Sequence, residues 1–414
     1  MPFSILHCAD THLGVETYGR TDPSSGLNTR LQDFARSLRF TFQTAIDEQV
    51  DLVVFAGDAF RTCDPTPTHL REFASAIQML ADQHIPVVMV TGNHDAPVSF
   101  GKASSIDIFR TLGAGTIHVA DEPSLFDIPT RKGRLQVACL PWLHRSRIVA
   151  DPRVDGLGET QTTDALAAHA REQIGRLARA VDTACPSILV AHAALSDAVL
   201  SGTERTASLG RDPALSTRAF ARSEFDYVAL GHIHRYQNLN TEGAPPVVYA
   251  GSIERVDFGE ENEPKGFVLV QIDDARSPRA TSIRFVTTPA RRFVTIEARI
   301  PVGGDSTAII VDAIDRHDIK DAIVRVFYQG DAEDVAPPDT PSLRSALKDA
   351  AHVALIARRA ATPAKVRRAP ITEEMNLAQA VRTYISVHPE LASLEQDLID
   401  RSHQLAAEIE DSLT

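Results

Sequence analysis

Five short segments hold side chains that together can bind two divalent ions: Asp10-Thr11-His12, Gly57-Asp58, Gly92-Asn93-His94-Asp95, an isolated His192, and Gly231-His232-Ile233-His234. Two such ions about 3.5–4 Å apart need one carboxylate that gives an oxygen to each, flanked by imidazoles, amide oxygens and further carboxylates. Asp58 is the natural bridge. Residues two apart in extended backbone point the same way, so Asp10 with His12, and His232 with His234, are each expected to share a face. Asn93 adds a neutral oxygen. Imidazole and carboxylate without thiolate suit manganese, iron or zinc better than calcium. Such a pair of ions acidifies a water that attacks phosphorus in line with the leaving oxygen, so the expected chemistry is phosphate-ester hydrolysis. His94, next to Asn93, is placed to stabilise charge developing on phosphorus or to protonate the departing alkoxide, with Asp95 holding it in orientation.

Each segment alone has an ordinary explanation. A lone Gly-Asp after a strand is a common turn, and a single histidine is usually a satisfied core residue. What favours the metal site is five matches in one order, each at the end of a predicted strand.

Those strands are short, continuous apolar runs: Ile5 to Cys8, Leu52 to Ala56, Val87 to Val90, Ile188 to Ala191 and Tyr227 to Leu230. Continuity rather than alternation marks strands buried on both faces. Between the early ones, Asn28 can cap a helix carrying Leu31, Phe34, Ala35, Leu38 and Phe42, and Thr68 to Ala81 repeats that spacing. Strand, helix, strand implies parallel pairing, and ligand sites in such sheets lie beyond the carboxyl ends of the strands. After Gly231, β segments around Val247 to Ala250, Phe267 to Ile272, Ser282 to Val286 and Phe293 to Glu297 read as a second sheet. A smaller α/β unit is expected from a helix at Thr307 to Ile314, a strand at Ala322 to Tyr328, a helix near Leu343 to Ala350 and a strand at Val353 to Ile356. Ala360 to Pro370 reads as a linker, followed by two amphipathic helices, about Asn376 to Ile385 and Glu390 to Ile409.

With 414 residues, 43% of them hydrophobic, the chain can bury a large core divided over two or three domains. A net charge of −13 argues against holding nucleic acid by a bulk positive field, so a polyanion must meet a locally positive surface. Two candidates are the bound cations themselves and the cluster Arg358, Arg359, Lys365, Arg367 and Arg368. The four cysteines, Cys8, Cys63, Cys139 and Cys185, form no C-x-x-C pair and are expected to be reduced. No apolar run is long enough to span a bilayer and the amino terminus lacks a basic n-region, so a cytoplasmic location is expected.

The five motifs resemble the calcineurin-like metallophosphoesterase superfamily, which implies an α/β fold: a β-sandwich flanked by helices with a dinuclear site at the sheet ends. Further segments, His12-Leu13-Gly14, Gly19-Arg20-Thr21-Asp22-Pro23, Gly26 to Leu31 and above all Gly251 to Gly266, resemble the SbcD-type nuclease subunits of bacterial SbcCD complexes. That resemblance implies a nuclease domain over 1–288, a capping and DNA-recognition domain over 289–358, a linker over 359–372, and helices over 373–414 that bind a coiled-coil, SbcC-like ATPase. It implies one manganese ion held by Asp10, His12, Asp58 and His234, a second held by Asp58, Asn93, His192 and His232, and His94 as the catalytic residue. The activity implied is manganese-dependent exonucleolytic and endonucleolytic cleavage of DNA in repair and recombination, by a chain that forms homodimers. Archaeal and eukaryotic relatives carry a histidine after Gly-Asp-x-Phe where this chain has Arg61. An arginine cannot shuttle protons at neutral pH but can clamp a phosphate, so Arg61, with Arg20, is a candidate substrate contact. The alternative on the same fold is a small-molecule or cyclic nucleotide phosphodiesterase. A third reading, a DNA-end or ATPase scaffold with a vestigial metal site, is disfavoured by the intact ligand set.

Overall fold

The strands that precede the first three motifs are β1 (Phe3–Cys8), β2 (Leu52–Phe55) and β3 (Val87–Val90), paired in parallel in that order. The computed structural model describes residues 2–97, 102–112, 115–144, 158–202, 213, 215–330, 336–359, 375, 377–386, 391 and 394–412. Both faces of these strands are covered, which is why their sequence is continuously apolar. One face, with Ile5, Val54 and Val88, meets a second sheet. The other, with Leu6, Phe55 and Met89, packs on helices α1 (Thr29–Asp47) and α2 (Pro67–Asp82) through Phe34, Leu38, Phe42, Phe73 and Leu80. Asn28 caps α1 as expected, its Oδ1 accepting from Arg30 N at 2.8 Å, a bond of the kind worth about 1 kcal/mol. The short helix α3 (Asp107–Leu112) leads into β4 (Ile117–Ala120), which extends the sheet in parallel beside β3.

The second sheet comprises β5 (Ser124–Thr130), β6 (Gly133–Leu140), β7 (Ser187–His192), β8 (Tyr227–Gly231), β9 (Gln237–Asn238) and β10 (Val247–Tyr249), in the order β5-β6-β7-β8-β10-β9. Its outer face, with Leu140, Leu189 and Val228, is covered by Ala170, Ile174 and Leu177 of the helix Glu159–Ala180. The result is helix, sheet, sheet, helix, the flanked sandwich implied by the resemblance. A buried hydrogen bond crosses it: His7 Nδ1 accepts from the Tyr227 hydroxyl at 2.9 Å while Nε2–H donates to the Leu230 carbonyl at 3.2 Å. Burial pushes His7 down to about 3, so the ring is neutral and β1 is pinned to β8 just ahead of their motifs.

The strands after Gly231 do not form one new sheet. β10 joins the second sheet beside β8, whereas β11 (Gly266–Asp273) and β12 (Ala280–Thr287) return to the first as an antiparallel pair beside β1. β13 (Phe293–Arg299), β14 (Ile323–Gln329) and β15 (His352–Arg358) form a third sheet, in that order. The local apolar pattern of a sandwich strand is the same for either sheet, so only long-range packing decides.

Two compact units result: Met1–Ile296 with Ile314–Arg325 and Arg344–Ile356, and Glu297–Ala313 with Val326–Leu343 and Ala357–Thr414. The first contains both large sheets. The second holds most of the helix Ser306–Asp315 and the terminal helices Leu377–Ser386 and Glu395–Ser412, which pack on each other. The linker read at Ala360 to Pro370 lies outside the described residues, as do Lys365, Arg367 and Arg368 of the basic cluster. All four cysteines are free, Cys8 and Cys139 buried and the other two partly so. Among the described residues, no helix is long and apolar enough to cross a membrane.

Candidate metal centre

Both sheets end at the same place. The segments after β1, β2 and β3 from one sheet and those at the ends of β7 and β8 from the other bring Asp10, His12, Asp58, Asn93, His94, His192, His232 and His234 together. Three groups of closely spaced ligand atoms result: Asp10, His12 and His234; His12, Asp58 and His94; and Asp10, Asp58 and His192. Asp10, His12 and Asp58 each belong to two of them. His192 Nε2 lies 3.4 Å from Asp58 Oδ2, and His12 Nε2 lies 3.8 Å from the same oxygen. Asn93 Oδ1 stands 2.9 Å from His192 Nε2 and 3.0 Å from His232 Nδ1.

The local backbone differs from expectation. Asp10 and His12 do not share a face through strand alternation, because β1 ends at Cys8 and both residues are left-handed, with φ of 52° and 45°. Asp58 (φ 59°) and His232 (φ 102°) are left-handed as well. Non-glycine residues rarely adopt such angles, each costing about 1–3 kcal/mol, and such strain persists where surroundings over-determine it. Here Asp10 N donates to Gly57 O, His12 N to Asp58 O and Leu13 N to Ala59 O, each at 3.0 Å. The acids are held by other motifs: His232 N donates to Asp10 at 3.0 Å, and His94 N to Asp58 Oδ1 at 2.8 Å. His232 and His234 therefore part, the first toward Asn93 and Trp142, the second toward Asp10 and His12. Gly92 is required for space, since a Cβ there would stand 2.0 Å from Asp58 Oδ1.

Asp95 does not orient His94. Its buried carboxylate accepts from the amides of Asp58 (2.8 Å), Ala59 (3.0 Å), Phe60 (3.3 Å) and Gly92 (3.1 Å), and from the Ser105 hydroxyl at 3.2 Å. Asp95 shapes the turn that carries Asp58. Burial and the nearby Asp58 push Asp95 up to about 6. The ring of exposed His94 is held instead by the Arg61 carbonyl, which accepts from Nδ1–H at 2.8 Å. The side chains of Arg61 and Arg20 are exposed, Arg61 on the loop that holds His94 and Arg20 just ahead of α1.

The donor set fits cations. A carbonyl can only accept, so His192 Nδ1, 2.7 Å from Ala56 O, carries a hydrogen, and Nε2 is the nitrogen turned toward Asn93 and Asp58. His234 Nδ1–H donates to Glu260 Oε1 at 2.7 Å, which leaves its Nε2 facing His12 Nε2 at 2.9 Å. Inward lone pairs beside buried carboxylates are favourable around positive charge and unfavourable otherwise. Proton and cation compete for this site: burial pushes Asp10 up to about 7, while His192, which burial alone would lower, is pushed up to about 9 by Asp58 and Asp10, so a cation must displace a proton from its Nε2 at neutral pH. Burial works to raise Asp58, but His192, His12 and His94 outweigh it and hold it below the usual carboxylate range.

Against known families, residues 3–236 match the model for calcineurin-like phosphoesterase. The chain belongs to that family. A calcineurin-like phosphoesterase of this fold implies a dinuclear divalent site, and the cluster contains groups of side chains able to hold divalent ions. This phosphoesterase is 27% identical to the DNA double-strand break repair protein Mre11 of Haloferax volcanii over 85% of its own length and 66% of the relative's. It is 25% identical to the SbcD subunit of the SbcCD nuclease of Staphylococcus epidermidis over 75% of each chain, and 27% identical to the Bacillus subtilis counterpart over 64% and 65%. The chain thus spans about two thirds to three quarters of the length of these relatives.

Three neighbours of the site escape the motif reading. Trp142, the only tryptophan, stacks on His232 with ring centroids 4.9 Å apart and meets His192 edge-on at 5.9 Å. Its sequence signal is its place two residues past the buried run ending at Leu140. Glu260 and Lys265 lie behind His234, inside the Gly251 to Gly266 segment that stands out in the sequence without an assigned task.

Proposed function

We propose that this phosphoesterase is a manganese-dependent DNA nuclease of the SbcD type, hydrolysing phosphodiesters exonucleolytically and endonucleolytically in DNA repair and recombination. The observation that carries the reading is the position of Asp58, whose Oδ2 stands 3.8 Å from His12 Nε2 on one side and 3.4 Å from His192 Nε2 on the other, in a chain whose relatives include a DNA double-strand break repair protein and nuclease SbcCD subunits. Asp10, His12, Asp58 and His234 hold one ion; Asp58, Asn93, His192 and His232 hold the other. When bound, such ions acidify a water and neutralise charge on phosphate oxygens.

The chain's own residues supply the rest. His94, with Nδ1–H engaged by Arg61 O, has Nε2 to carry a proton to the leaving oxygen. Arg61 and Arg20 clamp backbone phosphates, a local attraction that an acidic chain needs. Ala56 O and Glu260 fix the tautomers of His192 and His234.

The reading divides the chain into a nuclease domain over 1–288, a capping domain over 289–358, a linker over 359–372 and partner-binding helices over 373–414. Exposed Leu377, Tyr384, Leu398 and Leu405 on those helices suit a groove of an SbcC-like coiled-coil ATPase. The protein acts as a homodimer in the cytoplasm.

The test is a manganese-dependent assay on duplex and hairpin DNA beside cyclic nucleotides, with His94→Ala and Asp58→Ala as controls. DNA cleavage lost in both variants is expected. Hydrolysis of the cyclic nucleotides alone would replace this reading with a small-molecule phosphodiesterase.

A further inference from the structure

Behind His234, the Glu260 carboxylate is half of a buried ion pair whose other half, Lys265, has no part in the hydrolytic chemistry above. Glu260 and Lys265 are 1% and 2% exposed. Glu260 Oε1 accepts His234 Nδ1–H at 2.7 Å; Oε2 accepts from Val256 N at 2.9 Å and pairs with Lys265 Nζ at 2.9 Å. The same ammonium donates to the His234 carbonyl at 3.0 Å and to Glu263 at 3.2 Å. One lysine therefore holds both the carboxylate that grips the imidazole and the backbone that carries it.

The turn bearing Glu260 is itself fixed. The Arg255 guanidinium donates to the carbonyls of Glu260, Glu261 and Glu263 at 3.2, 3.3 and 2.8 Å, and Glu261 accepts from Thr295 N at 2.6 Å. Desolvating a lysine and a glutamate this completely is unfavourable compared with apolar packing of similar volume, so the pair is poorly explained as a stability device. A carboxylate on the far nitrogen of a ligating histidine fixes its tautomer and direction and raises its basicity.

We infer that Glu260 and Lys265 are positioning residues that aim His234 Nε2 into the site shared with Asp10 and His12, and that this is the task of the Gly251–Gly266 segment. The inference rests on the two-metal reading above. It makes the two ion sites unequal in what supports them: a charged pair behind His234, a neutral carbonyl behind His192.

The test is manganese titration of the full-length, chelator-stripped protein by calorimetry, with melting in EDTA as the fold control. Glu260→Asp keeps the charge that pairs Lys265 but falls one methylene short of His234; Glu260→Gln keeps the reach but not the charge. Each is expected to weaken one of two manganese sites about 10- to 100-fold and leave the other unchanged, with Glu260→Asp melting like the wild type in EDTA. If Glu260→Gln fails to fold, Glu260→Asp decides alone. Wild-type affinity at both sites in folded Glu260→Asp, or equal weakening of both, would overturn the inference. A wild-type chain that binds fewer than two ions would instead overturn the two-metal reading beneath it.

Discussion

Replacing Asp95 by asparagine separates two roles for a residue one position from the proposed catalytic histidine. If Asp95 oriented His94, the substitution would lower turnover and leave the fold intact. The geometry demands the opposite. Oδ2 accepts from the amides of Asp58 and Gly92, and Oδ1 from those of Ala59 and Phe60 and from the Ser105 hydroxyl, all around a fully buried side chain. An asparagine offers one acceptor oxygen, so in either orientation its NH2 group faces two backbone amides that it cannot satisfy. Each orphaned buried donor costs about 1–3 kcal/mol, giving an expected loss of roughly 2–6 kcal/mol. Urea unfolding in EDTA, followed by circular dichroism, measures it without metal stabilising the folded state. A loss below about 1 kcal/mol, or lower turnover with unchanged stability, would refute the assignment of Asp95 to the Asp58 turn.

Gly92→Ala places a Cβ against Asp58 Oδ1, and a shift of about 1 Å in that carboxylate is expected to lower phosphodiester hydrolysis on the order of 100-fold, read on bis(p-nitrophenyl) phosphate. His94→Gln is expected to lower DNA cleavage about 100- to 10,000-fold while calorimetry finds manganese affinity unchanged, the outcome that separates the proposed proton carrier from a ligand beside His12 and Asp58. Arg61→Ala is expected to weaken duplex binding and end cleavage in an electrophoretic shift and nuclease assay; no change in either removes Arg61 from the substrate contacts. His7 makes stability pH-dependent: unfolded it takes a proton below about pH 6.5, folded it stays neutral down to about 3, so acid favours the unfolded chain across that window. Relative to His7→Gln, wild-type stability is expected to fall by about 1.4 kcal/mol more per pH unit below 6, measured by urea midpoints; parallel pH profiles would contradict this.

The strand ends that carry the motifs are legible in the sequence because a doubly covered parallel strand leaves a continuous apolar run, as at Leu52–Phe55 and Val87–Val90. The side-chain directions at Asp10 and His12 are not legible. Their left-handed backbone is imposed by hydrogen bonds to Gly57 and Asp58, some 46 residues away in sequence, and no local periodicity encodes that. Asp95 misleads for a related reason. Its proximity to His94 is local, whereas its amide partners at Asp58, Ala59 and Phe60 lie 35 to 37 residues upstream. The Gly251–Gly266 segment is legible as unusual but not as a task, because a glutamate and a lysine five apart signal nothing until folding buries them beside His234.

The most direct test of the two-metal account is the anomalous difference map of a crystal soaked in manganese. Two peaks are expected, one among Asp10, His12 and His234 and one among Asn93, His192 and His232, with Asp58 reaching both. A single peak, or manganese bound away from Asp58, would contradict the account.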